Sequence, residues 1–221
     1  MPTSTVENYL KAVFLRAPGT GATVSTGAMA EALGVTPGTI TTMVKHLAAQ
    51  GLLEHNPRAG VRLTPAGRAV AVGVLRKHRL VETFLVRVLE MDWAEVHAEA
   101  EALEHAISDR LLARIDAYLG HPKVDPHGDP IPTAQGKVPE AEKAATLADC
   151  PLKKWLRVAR ITDQSTAFLE FVTQAGLKPG ARIQVRQREA ASGVVRCDLG
   201  RGRLAVLGLP EAAKIQVRAE A

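Results

Sequence analysis

Cysteine is scarce in this chain, and long apolar runs are absent from it. Cys150 and Cys197 are its 2 cysteines, and they lie far apart in the sequence. Two separated cysteines exclude a disulfide framework and a cysteine-based zinc cluster. No apolar run approaches the ~18 residues that a membrane helix requires. Charged side chains interrupt the first positions, where a secretory signal peptide would be apolar. We therefore expect a cytoplasmic protein that has no membrane partner.

The common signatures of catalysis are missing as well. The sequence contains no HExxH zinc motif, no nucleophile elbow and no phosphate-binding P-loop. Its composition, with 46% hydrophobic and 23% charged residues, is that of an ordinary globular protein. These features predict a folded protein that is not an enzyme.

The net charge of +5 is unevenly distributed along the chain. Residues 1–70 carry 6 basic and 3 acidic side chains (+3), residues 71–140 carry 8 and 12 (−4), and residues 141–221 carry 14 and 8 (+6). Five of the seven histidines lie in the acidic middle third. This distribution indicates a nucleic-acid site at one place and a metal site at another. We take the three ranges as three predicted domains.

The first 70 residues show the order of a winged helix-turn-helix: a short helix, a tight turn, a second helix and a hairpin. A helix over Gly27–Leu33, with Thr26 as its N-cap, is followed by a break at Gly34. Thr36 then caps a second helix that has Pro37 at its first position, where a missing N–H costs nothing.

The second helix would enter the major groove of DNA, because the turn holds the two helices at a steep angle. Its start and its outward face carry hydroxyls and one ammonium, which can meet base edges or phosphates. These candidates are Thr36, Thr39, Thr41, Thr42 and Lys45. Two β-like runs, 52–55 and 61–63, form the wing, where Arg58 and Arg62 would contact the DNA backbone. The alternative is a plain helical subdomain with a solvated threonine face.

Histidine and glutamate recur at helical spacing in the middle third. His78 and Glu82 are four residues apart and share one helix face. A second helix face carries a larger set: His97, Glu101, Glu104 and His105. If the two helices pack together, imidazoles and carboxylates converge without a thiolate. That donor set suits Mn²⁺ or Fe²⁺, and Zn²⁺ or Co²⁺ would also bind. The alternatives are surface His–Glu ion pairs and a solvated acidic face.

The sequence changes character after residue 120. Prolines recur among glycine and polar residues over 121–150, which predicts a linker or an extended segment. Short β-like runs then alternate with tight turns, beginning with Trp155–Ile161, and one helix interrupts them near Thr166–Ala175. This pattern predicts a small barrel. The fold class is therefore mainly α with β: a winged helix-turn-helix, a helical domain and a C-terminal barrel.

Several segments have a recognisable combination of motifs. They are RKHRLVETFL (Arg76–Leu85), VHAEAEALEHAISD (Val96–Asp109), HPKVDPHGDPIP (His121–Pro132), TPGTITTMVKHLAAQGLL and RLTPAGR. Together they closely resemble the diphtheria toxin repressor family of metal-dependent transcriptional regulators, and the last two match its winged helix. The resemblance covers essentially the whole chain. The C-terminal region is similar to the SH3-like, ferrous-transport-A-like domain of that family.

The resemblance implies a homodimeric repressor of metal-uptake genes. It would bind double-stranded operator DNA when loaded with Mn²⁺ or Fe²⁺, with two metal ions per subunit. The resemblance implies an ancillary metal site formed by His78, Glu82 and His97. Two further ligands often come from the SH3-like domain, for which Asp163 and Gln164 are the candidates. The same domain would alternatively bind the proline segment 121–140 as an extended peptide.

The resemblance also implies a primary metal site formed by Glu101, Glu104, His105 and a residue of the first helix, Asn8. Iron-type members carry cysteine at the position of Glu101 and methionine at that of Asn8, so the manganese-sensing branch is favoured. That branch places aspartate and glutamate where this chain has Asn8 and Lys11. Asn8 can offer a carbonyl oxygen, whereas Lys11 cannot be a ligand while it is charged.

Two rival functions remain open from the sequence. The first is a metal-independent winged-helix regulator that senses an organic ligand, for which removal of the histidines would leave DNA affinity unchanged. The second is a dinuclear metal hydrolase that uses the same histidines and glutamates. A hydrolase would show turnover and no sequence preference on DNA.

Overall fold

The computed structural model describes residues 2–17, 19, 21–139 and 144–220. Its elements, in chain order, are α1 (Ser4–Arg16), α2 (Thr26–Leu33), α3 (Pro37–Ala49), β1 (Leu53–Asn56), β2 (Gly60–Leu63), α4 (Pro65–Val88), α5 (Val96–Glu104), α6 (Asp109–Tyr118), β3 (Ala145–Thr146), β4 (Trp155–Ile161), α7 (Thr166–Ala175), β5 (Arg182–Glu189), β6 (Val194–Gly200), β7 (Arg203–Gly208), α8 (Leu209–Ala212) and β8 (Ile215–Ala219). None of the described helices combines the length and apolarity needed to cross a bilayer.

The chain divides into two units. The first comprises the described residues up to His78 together with Glu104–Ile107 and Pro132–Val138. The second comprises Arg79–Leu103, Ser108–Ile131 and the described residues from Pro139 onward. The helical residues 79–103 and the C-terminal β-sheet therefore belong to the same unit.

The helix-turn-helix of the first unit is defined by its helix caps. Thr36 Oγ1 accepts a hydrogen bond from the Thr39 backbone N–H, and Pro37 occupies the first turn of α3, as the sequence predicts. The prediction of Thr26 as the cap of α2 is wrong by one residue. Ser25 is the cap, because its Oγ lies 3.1 Å from the backbone nitrogen of Ala28 and satisfies that N–H.

The wing is a two-stranded antiparallel hairpin in which Leu53 pairs with Leu63. Asn56 Oδ1 accepts hydrogen bonds from the backbone nitrogens of Arg58 and Ala59, which shapes the hairpin tip. At the base of the wing, a Cβ on Gly67 would overlap the Leu52 carbonyl oxygen. Only glycine therefore allows α4 to begin this close to the strand.

The second unit contains a six-stranded antiparallel sheet in the order β3-β8-β4-β5-β6-β7. Its largest buried cluster joins residues of the sheet and α7 to Trp93 and Ala94, which precede α5. The Trp93 indole N–H donates to Thr173 Oγ1 of α7 at 2.8 Å. The predicted fold class is confirmed: a helix-turn-helix domain, a helical domain and a C-terminal β-sheet domain.

The proline-containing segment between α6 and β3 is irregular, but it is not a solvated linker over its first part. Asp125, His127 and Asp129 are buried there. The His127 carbonyl oxygen accepts a hydrogen bond from the Ile161 backbone nitrogen of β4 at 2.9 Å. A Cβ on Gly128 would overlap the Ala159 carbonyl oxygen, so this glycine is required for the close approach. Composition predicted an extended segment and did not predict its burial.

Candidate metal centre and nucleic-acid interface

The outer face of α3 is polar and exposed. Ile40, Val44 and Leu47 are buried on its inner face. The side chains that the sequence assigns to DNA contact are all exposed at the start of α3 or on its outer face: Thr36, Thr39, Thr41, Thr42 and Lys45. The amphipathic pattern therefore leaves this polar face available to a partner.

Two hydroxyls on that face bond back to the helix itself. Thr41 Oγ1 donates to the Pro37 carbonyl oxygen at 2.9 Å, and Thr42 Oγ1 donates to the Gly38 carbonyl oxygen at 3.1 Å. A hydroxyl has one proton and two lone pairs. Each threonine thus still offers acceptor capacity and a methyl group to an incoming molecule.

The two predicted wing arginines lie in different surroundings. Arg62 Nε donates to Glu54 Oε2 across the hairpin at 2.7 Å. Arg58 is exposed at the hairpin tip. A partner with negative charge would therefore meet Arg58 directly and would compete with Glu54 for Arg62.

In the second unit, Glu82 is a buried carboxylate that faces two imidazoles. Its Oε1 lies 3.2 Å from His97 Nδ1, and its Oε2 lies 3.8 Å from His127 Nδ1. The side chain of Glu82 is 1% exposed, that of His127 is 0% exposed and that of His97 is 48% exposed. Ligand atoms of Glu82, Asp125 and His127 all lie within 4.8 Å of one another, and these three residues are hereafter called the Glu82 centre.

His127 presents an unsatisfied nitrogen to this centre. Its Nε2 donates to the Trp93 carbonyl oxygen at 2.9 Å, so Nδ1 carries the lone pair in the neutral ring. Within the described part of the chain, Nδ1 is buried and has no hydrogen-bond partner. A buried nitrogen without a partner is energetically costly. Because it lies close to two carboxyl groups, this nitrogen could act as a metal ligand together with them.

Asp125 is held in its protonated form by its surroundings. Burial, followed by the negative charges of Asp129 and Glu82, raises the pKa of Asp125 to about 8, against the opposing effect of Arg79. Its Oδ1 accepts hydrogen bonds from the backbone nitrogens of His127 and Asp129, each at 2.9 Å. The centre therefore carries a proton at neutral pH that a divalent cation would replace.

The negative charge of Asp129 is compensated by other groups, so its carboxylate is less available as a metal ligand. Arg79 NH2 lies 3.4 Å from its Oδ1, and Arg160 also forms an ion pair with that oxygen. Gln164 Nε2 donates to Asp129 Oδ2 at 2.6 Å. Asp129 thus pairs with Arg160 and shares Arg79 with Asp125, whose Oδ2 lies 3.6 Å from Arg79 Nε, whereas Glu82 faces the two histidines.

The predicted ligands His97 and Glu101 lie on the exposed side of the second unit. His97 Nε2 is 3.6 Å from Glu101 Oε1, one turn further along α5. Asp163, one of the two candidates from the β-sheet domain, forms an ion pair with Lys214 Nζ at 2.8 Å. The second candidate, Gln164, reaches Asp129, as described above. These four side chains therefore have protein partners in the described structure.

The remaining predicted ligands come together in the first unit. Glu104 is completely buried, and its Oε2 lies 2.6 Å from His78 Nδ1. His105 Nε2 is 3.4 Å from Glu104 Oε1 and 2.9 Å from Asn8 Oδ1. Burial raises the pKa of Glu104, but the hydrogen bond and charge of His78 and the charge of Lys11 outweigh burial and lower this pKa below its ordinary value. These residues, with Glu7, are hereafter called the Glu104 cluster.

Two residues of the Glu82 centre were not assigned by the sequence. Asp125 and His127 lie in an irregular segment, where there is no helical or strand periodicity to place them on a face. The available signal was the motif HPKVDPHGDPIP, which supplied the family resemblance without assigning a ligand to these positions.

Comparisons with known families cover nearly the whole chain. The family model "Iron dependent repressor, N-terminal DNA binding domain" matches residues 1–61. The model "Iron dependent repressor, metal binding and dimerisation domain" matches residues 64–133. The model "FeoA domain" matches residues 145–219.

Individual relatives agree with these matches. The chain is 33% identical over 192 residues to the iron-dependent repressor IdeR of Mycobacterium tuberculosis, with 82% of this chain and 83% of that protein covered. A solved structure titled as a manganese-dependent transcriptional repressor in complex with manganese is 41% identical, has a TM-score of 0.85, and covers 97% of this chain and 100% of its own. The manganese regulator SloR is 30% identical with a TM-score of 0.73, and both chains are covered in full (100%).

The fold and the matched domains define a DNA-binding transcriptional repressor that depends on metal. The chain belongs to the diphtheria toxin repressor family. This family consists of DNA-binding repressors and not of enzymes, so the prediction that the chain is not an enzyme is confirmed and the hydrolase hypothesis is excluded. Operator binding and dimerisation are properties of the family.

Proposed function

We propose that this chain is a manganese-dependent repressor of metal-ion uptake genes. It acts as a cytoplasmic homodimer on double-stranded operator DNA, and Fe²⁺ is the alternative ion. The observation that carries the proposal is the unsatisfied, buried Nδ1 of His127 beside Glu82 and Asp125. A repressor of this kind needs a metal site, and these three side chains offer one.

The donor set favours Mn²⁺. The Glu82 centre provides carboxylate oxygens and an imidazole nitrogen, and no thiolate lies in its donor set. Hard oxygen donors with imidazole suit Mn²⁺ and Fe²⁺, whereas thiolates select softer ions. A solved relative titled as a manganese complex supports the same ion. The IdeR relatives are iron-dependent by name, which keeps Fe²⁺ as the alternative.

Each residue of the Glu82 centre would have its own role in binding the ion. Trp93 keeps the proton on Nε2 of His127, so that Nδ1 remains a ligand. Asp125 would lose its proton and become a second charged ligand beside Glu82. Arg79 lies 3.6 Å from Asp125, and a divalent ion would add further positive charge between these two buried carboxylates. His97 would add a further ligand next to Glu82.

The other predicted ligands remain part of the proposal. The sequence assigns His78 to an ancillary site with Glu82 and His97, and that assignment stays a candidate. Asp163 and Gln164 remain candidates from the β-sheet domain, and Asp163 would first have to release Lys214. The sequence implied two ions per subunit, the second of them at Asn8, Glu101, Glu104 and His105. The Glu104 cluster is considered separately below.

We infer that α3 reads bases and that the wing contacts phosphates. Thr36, Thr39, Thr41, Thr42 and Lys45 would face the major groove, and Arg58 and Arg62 would face the backbone. Since Thr41 and Thr42 already donate to the helix, their hydroxyls can accept from a base amino group, and their methyl groups can contact a thymine methyl. By linkage, metal tightens DNA binding and DNA tightens metal binding by the same factor.

The test is fluorescence anisotropy with a labelled duplex from the region upstream of a metal-transport gene, at fixed salt. Binding is compared in chelator, in titrated Mn²⁺ and in anaerobic Fe²⁺. We expect tight binding only with metal, and we expect Asp125→Asn and His127→Gln to abolish the response. His121→Ala is the matched control, because His121 is exposed and pairs with Asp116 at 3.0 Å outside the centre.

If the protein binds the DNA equally well in chelator and in metal, metal does not control binding at this sequence. That result would favour a regulator that senses an organic ligand. If both Asp125→Asn and His127→Gln keep the wild-type dependence of DNA binding on metal, the metal does not bind at the Glu82 centre. The Mn²⁺ and Fe²⁺ midpoints, set against the cellular concentrations of the two ions, decide between the metals.

A further inference from the structure

An ammonium group lies inside the Glu104 cluster. Lys11 Nζ is 2.5 Å from Glu104 Oε1, and the two side chains are 9% and 0% exposed. Lysine is seldom buried to this extent unless its charge is compensated. The pair therefore joins α1 to the segment Glu104–Ile107 through a charge contact that is shielded from water within the first unit.

The other ligand atoms of the cluster are also engaged. His105 Nδ1 lies 2.5 Å from Glu7 Oε2, and His105 Nε2 lies 2.9 Å from Asn8 Oδ1. The second oxygen of Glu104 lies 2.6 Å from His78 Nδ1. A metal ion at this place would have to break a hydrogen bond of His105 and one of Glu104.

A divalent ion would also lie beside the Lys11 ammonium. Two cations a few ångströms apart repel each other strongly when water does not screen them. A buried carboxylate needs one compensating charge, and Lys11 provides it. Lysine cannot act as a ligand while it is charged. The residues present therefore do not fit a metal ion at the Glu104 cluster.

We propose that Lys11 takes the place of a metal ion at the Glu104 cluster, so that each subunit binds metal only at the Glu82 centre. The inference rests on the proposed function for that centre. It replaces the expectation of two ions per subunit by one. It also makes the attachment of α1 to Glu104 independent of metal, because the cation is part of the chain.

The test measures the number of Mn²⁺ ions per subunit by equilibrium dialysis, with free Mn²⁺ read by electron paramagnetic resonance. We expect one ion in the wild type and none in Asp125→Asn at concentrations about a hundredfold above the wild-type midpoint. Lys154→Met is the control for the loss of one positive charge, because Lys154 is exposed and has no role in either the proposed DNA interface or the proposed metal site. It should bind one ion with unchanged affinity.

Lys11→Met supplies a second readout that does not depend on DNA binding. This variant leaves Glu104 without its ammonium, so Mn²⁺ at millimolar concentration should raise the melting temperature of Asp125→Asn/Lys11→Met and leave that of Asp125→Asn unchanged. Should Lys11→Met fail to fold, the ion counts of the wild type and Asp125→Asn still decide the question.

The outcomes separate the two proposals. Two ions in the wild type and one in Asp125→Asn would overturn the role of Lys11 and leave the Glu82 centre in place. If the wild type binds one ion, and if Asp125→Asn still binds it whereas Glu104→Gln does not, both proposals would be overturned. One ion that Asp125→Asn loses and Glu104→Gln retains supports both.

Discussion

The indole of Trp93 stacks on the imidazole of His127, with ring centroids 5.4 Å apart and ring planes inclined by 28°. The carbonyl oxygen of the same tryptophan accepts the hydrogen bond from His127 Nε2. Trp93 therefore fixes both the plane of the ring and the nitrogen that carries the proton. Because its indole N–H is bonded to Thr173, Trp93 itself has little freedom to turn. In the proposed metal site, these contacts would orient His127 before the ion binds.

Trp93 should report metal binding by its fluorescence. The chain has 2 tryptophans, and Trp155 lies on β4 with Arg182 over its ring at 4.1 Å. A paramagnetic ion bound to His127 would quench the stacked indole. We expect Mn²⁺ to quench the fluorescence of Trp155→Phe, in which Trp93 remains. The fluorescence of Trp93→Phe should not change. Quenching carried by Trp155 alone would contradict binding at the Glu82 centre.

Manganese affinity should rise with pH up to about 8. The pKa of Asp125 is raised to about 8, above the ordinary aspartate value, so between about pH 4 and pH 8 the folded, metal-free chain holds a proton that the unfolded chain has lost. This difference makes the metal-free fold less stable as pH rises through that window. Metal must displace the proton, so apparent affinity should increase up to about tenfold per pH unit and level off above pH 8.

Calorimetry in two buffers of different ionisation enthalpy measures this proton directly. We expect close to one proton to be released per Mn²⁺ ion at pH 7. Metal binding without buffer dependence would show that Asp125 is not the displaced acid.

The two wing arginines should differ in their effect on DNA binding. Arg58→Ala should weaken binding to all sequences by a similar factor and reduce the salt slope by about one, as expected for a phosphate contact. Arg62→Ala should have the smaller effect, because Arg62 is already paired with Glu54 and must exchange that partner. Anisotropy titrations over a range of NaCl concentrations measure both. A loss confined to the operator sequence would indicate a base contact instead.

Gly128→Ala should weaken metal binding without removing a ligand. Gly128 has a φ of 90° and lies against the backbone of Ala159 and Arg160. Strained backbone at such a position costs about 1–3 kcal/mol, and the overlap with Ala159 would add to it and displace His127. Gly136→Ala is the control, because Gly136 has a φ of 77° but open space around its Cα. We expect melting curves to show the larger loss in Gly128→Ala, and Mn²⁺ affinity to fall in that variant alone.

Much of the fold follows from local sequence signals. Strand Trp155–Ile161 and helix Thr166–Ala175 have the bounds that the sequence predicts. The start of α3 follows from Thr36 and Pro37. The cap of α2 was displaced by one residue because Ser25 and Thr26 are both good capping residues, and only the backbone conformation distinguishes them.

The site was less predictable, because its contacts join distant parts of the chain. The i, i+4 rule pairs His78 with Glu82, yet it cannot show that His127 also faces Glu82 from an irregular segment. The ion pair of Lys11 with Glu104 spans 93 positions. A lysine on an amphipathic helix is ordinarily solvated, so burial of Lys11 depends on packing that no local pattern records.

The position of Trp93 and Ala94 in the buried cluster of the sheet has a consequence for how the chain can be divided. A protein shortened after Val138 would lose every strand that covers these two side chains and would present their apolar surface to water. The same cut would remove Ile161, whose backbone nitrogen binds the His127 carbonyl oxygen. The last third of the chain thus stabilises the residues around Trp93 and His127. A truncated regulator would self-associate through the exposed apolar surface and would bind metal weakly.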